Sequence, residues 1–338
     1  MSRTSTIGMT EIARRAGVSQ KTVSRVVNAE PNVSDDVRRR VQAVIEEVGY
    51  RPNHAARALV TRRTRRIGLV TTGGARFGPS AIVEGVQEAA RARGYHTSVA
   101  RPADETVAGL RAAVEDLLSQ GVEGLALSES VDLGHPSIRI PPTVPVVTFD
   151  DPPSGARSAE MIVAAGEADG ARSATEHLLA LGHTTVHHVS GPDNWNASGR
   201  RAEGWRAALE AAGRHAPAPE SGGWDPASGH DAVRRLLDRG ETPTALFVAN
   251  DQMAIGAIHA LERAGLSVPD DVSVVGFDDV PEAAYLSTPL TTVRQDFDAI
   301  TARAVEVLLD AVEGGHPAKH QSVPTRLVVR ESTAPPRT

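Results

Sequence analysis

Between positions 10 and 49 the apolar residues recur every three or four positions, the spacing of short amphipathic helices. A first helix is expected from an N-cap at Thr10 to Ala16, with Ile12, Ala13 and Ala16 inward. Gly17 supplies the positive φ of a tight turn, and Ser19 caps a second helix over residues 20–28 that buries Val23, Val26 and Val27. Pro31 interrupts the path. Ser34 opens a third helix, where Asp35 and Asp36 suit the helix dipole and Val37, Val41, Val44, Ile45 and Val48 form the apolar stripe that Gly49 ends. Pro52 disfavours helical geometry at Arg51, so the chain turns there; Asn53 can cap a short segment over 54–60, followed by a basic polar joint, 61–66.

From Ile67 onward the pattern changes to short apolar runs alternating with amphipathic stretches. The runs predict strands at 67–71, 97–100, 124–127, 144–149, 185–189, 245–248 and 272–277. Helices are predicted over 82–93, 107–119, 169–181, 200–212, 227–239 and 251–264. Such alternation implies parallel, doubly wound sheets covered on both faces, and its length implies two lobes. In these folds ligands sit at the carboxyl ends of the strands. The domain reading is a helix-turn-helix head (1–52), a hinge helix and linker (53–66), a two-lobed body (67–330) and a disordered tail (331–338).

Charge sharpens this division. Residues 1–66 hold fourteen Lys and Arg against six Asp and Glu, a net of +8, whereas the remainder carries −14 within an overall −6. A basic head on an acidic body points to a polyanionic partner for the head. The 338 residues contain no cysteine, so thiolate chemistry and disulfides are excluded. The first ten residues lack the apolar core of a signal peptide, and no run approaches the about 20 apolar residues of a membrane span, so a cytoplasmic protein is expected.

The first two predicted helices have helix-turn-helix spacing: small Ala13 where the helices approach, Gly17 at the turn, Val23 pointing back into the core. The second helix then exposes Gln20, Lys21, Ser24, Arg25 and Asn28. Gln can bond adenine bidentately, and Arg or Lys can bond guanine; Thr22, Ser24 and the helix N-termini suit phosphates, and Ser19 joins them as a DNA-binding candidate.

The run Met9-Thr-Glu-Ile-Ala-Arg-Arg-Ala-Gly-Val-Ser-Gln-Lys-Thr-Val-Ser-Arg-Val-Val-Asn28, followed by Pro31-Asn-Val-Ser34 and Gly49-Tyr-Arg-Pro-Asn53, resembles the head of the lac repressor family of bacterial transcription regulators. The resemblance extends over nearly the whole chain. Val248-Ala-Asn-Asp-Gln-Met-Ala-Ile-Gly-Ala257, Val272-Ser-Val-Val-Gly-Phe-Asp-Asp279 and Pro289-Leu-Thr-Thr-Val-Arg-Gln-Asp-Phe297 bring its body and pocket nearest to the family's namesake. The resemblance implies an all-α head with a hinge helix and a body like the periplasmic binding proteins. It implies base reading by Gln20, Lys21 and Arg25, with Gln20 standing where the namesake has tyrosine. Residues 53–60, Asn53 and Ala56 among them, match the hinge helix that folds on DNA, and Leu59 matches the leucine wedged between base steps in the minor groove. The cost of unstacking a step is offset by the contact that bent DNA allows.

Polar residues also cluster where the body's strands should end. Asp150, Asn250 and Asp278 each follow a predicted strand; Gly73-Gly74 permits close backbone approach; Arg201 offers a planar fork of donors; Trp224 and Phe297 can stack on a sugar face. Asp150 and Asp278 could instead cap turns, Asn250 could be an N-cap, and Trp224 could be core. The resemblance assigns effector contact to Thr72, Arg76, Gly78, Pro79, Ser128, Asp150, Arg201, Trp224, Asn250, Asp278, Gln295 and Phe297. Arg76 and Ser128 replace a leucine and an asparagine of the namesake, and Ala165 stands where a phenylalanine lines the pocket, so the polar grip is kept and the rim altered.

The functional expectation is a homodimeric repressor on a pseudo-palindromic operator, released by a sugar or glycoside, with no cofactor and no metal. Adjacent His187 and His188 point to opposite faces of a strand and make a poor metal site. A corepressor-dependent regulator with a nucleobase-like ligand is the alternative. A solute-binding protein would need a signal peptide and no basic head, and no nucleophile elbow, phosphate loop or separated carboxylate pair points to an enzyme.

Overall fold

The helix-period pattern of the head produces three helices that pack through their predicted faces. The computed structural model describes residues 8–27, 30–50, 58, 61, 63–72, 74, 76–104, 106–128, 139–149 and 161–337, and the chain divides after Thr64 into two units. In the first, α1 (Met9–Ala16), α2 (Gln20–Val27) and α3 (Asp35–Val48) enclose a small core in which Ile12, Val23 and Val41 are fully buried. Gly17 takes φ 63°, and Val18 N–H reaches back to the Ala13 carbonyl at 3.0 Å, closing α1 as its sequence demands. Ser19 Oγ accepts from Thr22 N–H at 3.1 Å, the expected cap. Two expected caps differ. Helix α1 begins a turn position early, with Gly8 rather than Thr10 before it, because the Gly8 carbonyl already accepts from Glu11 and Ile12. Ser34 makes no side-chain cap bond; its carbonyl accepts from Arg38 instead.

The second unit contains two six-stranded sheets. The first comprises β1 (Arg66–Val70), β2 (His96–Ala100), β3 (Gly124–Leu127), β4 (Val146–Thr148), β5 (Met161–Ala165) and β11 (His320–Val323), all parallel, in the order β11-β5-β4-β3-β1-β2. Helices α4 (Phe77–Ala92) and α10 (Phe297–Val312) cover one face, and α5 (Val107–Ser119) covers the other.

The second sheet comprises β6 (His187–Ser190), β7 (Glu220–Ser221), β8 (Ala245–Val248), β9 (Ser273–Asp278), β10 (Thr291–Arg294) and β12 (Arg326–Val328), in the order β12-β10-β9-β8-β6-β7, with only the edge strand β12 antiparallel. Helices α6 (Glu167–Ala180) and α7 (Asn196–Ala211) lie on one face, and α8 (Pro226–Asp238) and α9 (Asp251–Arg263) on the other. The strand alternation is visible in β8: Leu246 and Val248 pack toward α8 and α9, while Ala245 and Phe247 pack toward α6 and α7, all four fully buried.

The chain crosses between the lobes three times, from β5 to α6, from β10 to α10, and from β11 to β12. Strands β5, β7, β10, β11 and β12 and helix α10 were not among the elements expected from the alternating pattern. The terminal segment also departs from the expectation of disorder over 331–338. Ser332 is fully buried; its carbonyl accepts from Val274 N–H at 2.8 Å, and its hydroxyl accepts from Thr291 N–H at 2.8 Å while donating to the Val274 carbonyl at 2.6 Å. The segment satisfies backbone groups at the starts of β9 and β10 that would otherwise be buried without partners, and this holds it in place.

Candidate functional site

The surface of α2 follows from its period. With Val23 and Val26 buried, Gln20 and Lys21 are left exposed, and Thr22, Ser24 and Arg25 are half-buried beside them. Ser19 and Thr22 share a 2.9 Å hydroxyl contact at the helix start, so Ser19 serves first as a cap. Arg25 Nε lies 3.8 Å from Glu30 Oε2, a loose pair that leaves the Arg25 side chain 42% exposed. On α1, Glu11 grips Arg14 at 2.6 Å and Arg15 at 2.8 Å, and these guanidinium bonds hold its carboxyl down at about 2. Arg15 also reaches Glu47 on α3 at 3.2 Å. The face of α2 thus carries amide, ammonium, hydroxyl and guanidinium donors on a braced scaffold. Asn28, Asn53, Ala56 and Leu59 lie outside the described residues.

Within the second unit a cleft opens where the carboxyl ends of both sheets face each other, enclosing about 660 Å³ with its mouth. The start of α4 supplies Arg76, Gly78 and Pro79; α7 supplies Arg201; the loop after β7 supplies Trp224; the residues at or just after the ends of β8, β9 and β10 supply Asn250, Asp278 and Gln295; and α10 supplies Phe297. Nine positions scattered over more than 200 residues of sequence thereby meet. Thr72 and Ser128 follow β1 and β3 at the same sheet edge. Both are buried with hydroxyls that lack a hydrogen-bond partner among the described residues, but neither borders the cavity. Asp150 lies outside the described residues.

Arg201 organises the floor. Its Nε donates to Glu167 Oε2 at 2.5 Å and its Nη2 to Glu167 Oε1 and to Asp278 Oδ1, each at 3.3 Å; Nη1 donates to the Ala249 carbonyl. The guanidinium also lies against the rings of Phe277 and Trp224, 3.9 and 5.5 Å from their centroids. Gln295 Nε2 donates to Asp278 Oδ1 at 2.7 Å. Burial pushes the Asp278 carboxyl up to about 6; Arg201 opposes this and the Glu167 charge adds to it. Asp278 is not a turn cap: it ends β9 with φ 104°, a conformation costly for an L residue. Asn250 proves to be both cap and wall. Its Oδ1 accepts from Met253 N–H at 2.9 Å, and its Nδ2 donates to the Trp224 carbonyl at 3.1 Å, fixing that loop.

Among the cleft residues that were not expected from the sequence are Glu167 and Trp195. Glu167 opens α6, where an acidic residue is ordinary, and nothing local shows that its carboxylate meets Arg201. Trp195, just before α7, stands edge-on to Trp224 at 5.7 Å and 66°, with the Arg76 guanidinium 4.7 Å from its centroid. Phe77 and Phe297 form a second edge-on pair at 5.7 Å. Only eleven aromatic residues occur in the chain, yet Phe77, Phe149, Trp195, Trp224 and Phe297 all line this cleft. It offers flat apolar walls above a hydrogen-bonding floor, the complement of a ring bearing hydroxyls. The adjacent histidines separate as expected. His188 is stacked between Trp205 and Phe247, its Nδ1 2.9 Å from the Phe247 carbonyl, and burial lowers it to about 4. His187 faces Glu241 at 3.6 Å. No cluster suited to a metal occurs among the described residues, and none of their helices is long and apolar enough to cross a membrane.

Comparison with known proteins agrees with both units. Residues 8–53 match the family described as bacterial regulatory proteins, lacI family, and residues 175–333 match the periplasmic binding protein-like domain. The lactose operon repressor of Escherichia coli (strain K12) is 35% identical over 97% of this chain and 91% of its own length. The ribose operon repressor of the same strain is 33% identical over 90% of this chain and 92% of its own. The crystal structure of the lac repressor dimer bound to operator and the anti-inducer ONPF superposes with a TM-score of 0.86 at 32% identity, covering 97% of this chain and 99% of that one.

Proposed function

The chain belongs to the lacI family of bacterial regulatory proteins, and from that membership we propose that it represses transcription as a homodimer on a pseudo-palindromic operator and is released when a sugar or glycoside fills the cleft. Gln20, Lys21 and Arg25 read base edges from α2, and Ser19, Thr22 and Ser24 contact phosphates. Asn28, Asn53, Ala56 and Leu59 extend that contact. In the cleft, Arg201, Asp278, Asn250 and Gln295 meet hydroxyls, and Trp224 and Phe297 pack on the ring. Arg76, Gly78 and Pro79 form the rim, Thr72 and Ser128 add polar groups at the same sheet edge, and Asp150 is a further polar contact to the ligand.

Coupling follows from linkage. A sugar that binds one lobe arrangement better than another shifts the population toward it, and the operator must weaken sugar binding by the same factor. Any hinge helix over residues 53–60 would be too short to be stable alone, so a change at the base of the body suffices to melt it. A regulator acting on DNA works in the cytoplasm, and turnover is not part of this reading: both cleft carboxylates are spent on one guanidinium instead of flanking a reactive position.

The observation that carries the proposal is the Arg201 floor beneath aromatic walls. The test is a gel-shift on the DNA upstream of the protein's own gene, repeated across a panel of glycosides. Sequence-specific binding relieved by one or more glycosides is expected. Binding tightened by a purine base would favour the corepressor alternative, and no preference over random DNA would overturn the proposal.

A further inference from the structure

We propose that Glu167 sets the charge class of effector the cleft admits: by occupying the Arg201 fork it makes the site accept uncharged glycosides and reject anionic ones. This rests on the sugar-binding reading of the same cleft and adds to it a selectivity residue.

Among the described residues, the charged ones lining the cleft are Arg76, Glu167, Arg201 and Asp278. Arg76 lies over Trp195, whereas the floor holds one guanidinium against two carboxylates. A guanidinium has five N–H donors. In Arg201 at least four are engaged: Nε and Nη2 on Glu167, Nη2 again on Asp278, and Nη1 on the Ala249 carbonyl. A phosphate or carboxylate recognised by arginine is held best by two parallel donors from that fork, and here Glu167 already holds Nε and Nη2. A hydroxyl asks less. It can accept from one N–H or donate to a carboxylate oxygen, and the surplus of acceptors on the floor suits a donor-rich neutral ligand.

Glu167 is also held in position. It is the first residue of α6, where the dipole favours negative charge, and its side chain is only 14% exposed. The preceding Gly166 carbonyl accepts from Thr325 Oγ1 at 3.1 Å and from Gly170 N–H at 2.8 Å, anchoring the helix start against the crossover into β12. An incoming anion must therefore displace a bidentate buried ion pair or sit beside two carboxylates, both unfavourable in a poorly solvated site.

The test uses the full chain and matched probes of nearly equal size: the methyl glycosides of glucose, galactose and mannose, with the uronamide and the uronate of each. Binding is followed by calorimetry at neutral pH. For any sugar that binds, the uronate should bind about tenfold or more weaker than its uronamide. Glu167→Gln should narrow that gap by about tenfold, and Glu167→Asp, which keeps the charge, should preserve it. A uronate binding the wild type as well as its uronamide overturns the proposal while leaving the sugar reading intact, whether or not the glutamine variant folds. An unchanged ratio in a folded Glu167→Gln protein overturns it too. If no probe, neutral or charged, binds the wild type, the sugar reading itself fails, and this inference with it.

Discussion

The Arg201 guanidinium carbon lies 3.9 Å from the centroid of the Phe277 ring, so the cation at the floor of the cleft rests on an apolar plane while two carboxylates hold its edge. Its removal should therefore act twice. Arg201→Ala leaves Glu167 and Asp278 buried without a cation, and breaking such a pair costs about 3–5 kcal/mol. The variant should melt at a lower temperature, and where it folds it should still bind operator but no longer respond to sugar. A retained sugar response, read in a gel-shift, would clear Arg201 of that role.

Asp278 and His188 impose opposite pH dependences on stability. The folded Asp278 carboxyl, raised to about 6 from 3.8, holds a proton that the unfolded chain releases. Its contribution is full below the unfolded value and is lost as pH rises through 6. His188, lowered to about 4 from 6.5, contributes fully above 6.5 and loses that contribution as pH falls toward 4. Asp278→Asn removes the first effect alone. Between pH 4 and 6 the variant's urea midpoint should climb more steeply with pH than that of the wild type; parallel curves would contradict the assignment.

Arg25 sits on the exposed side of α2, away from the buried Val23 and Val26. Arg25→Ala should reduce operator preference by about 1–3 kcal/mol, the worth of a bidentate base contact, and leave glycoside affinity unchanged. Comparing operator with random duplex at one fixed salt concentration checks this. An equal loss on both duplexes would make Arg25 a phosphate contact only.

Trp224 is seated on Gly191. A Cβ at that position would overlap the six-membered ring of the Trp224 indole, and the Trp224 backbone takes φ 72° in a loop that Asn250 pins. Gly191→Ala should tilt the ring and weaken glycoside binding about tenfold or more without touching the ligand directly. Calorimetry against the same glycosides reads this, and an unchanged affinity would show that Trp224 is not the platform.

Ser332 joins β9 to β10 from beyond the expected end of the ordered body. Truncation after Arg330 exposes or orphans the Val274 and Thr291 backbone groups that it serves. Each buried unsatisfied group costs about 1–3 kcal/mol, so the shortened chain should lose several kcal/mol of stability in urea melts. A midpoint equal to that of the full chain would mean the segment merely lies on the surface.

The head was legible in the sequence because its determinants are local: a 3.6-residue period, Gly17 and Gly49 at helix ends, and Ser19 as a cap act over a few neighbouring residues. Strands such as β3 and β8, and helices such as α5 and α9, were legible for the same reason, along with the polar residues at their ends. The sequence also placed Arg201, Asn250, Asp278 and Gln295 in one candidate set, largely through motifs in family order.

Tertiary structure alone decided which lobe each late element joins. Helix α10 carries a clear apolar face in Ile300, Ala304, Val305 and Leu308, but that face is buried against Ile67, Leu69 and Val147, more than 150 residues earlier in the chain. No local pattern can report a contact whose partner is chosen by a crossover. The same holds for Glu167 meeting Arg201 and Trp195 meeting Trp224. Periodicity tells a side chain that it must be covered, and only the closed fold tells it by what.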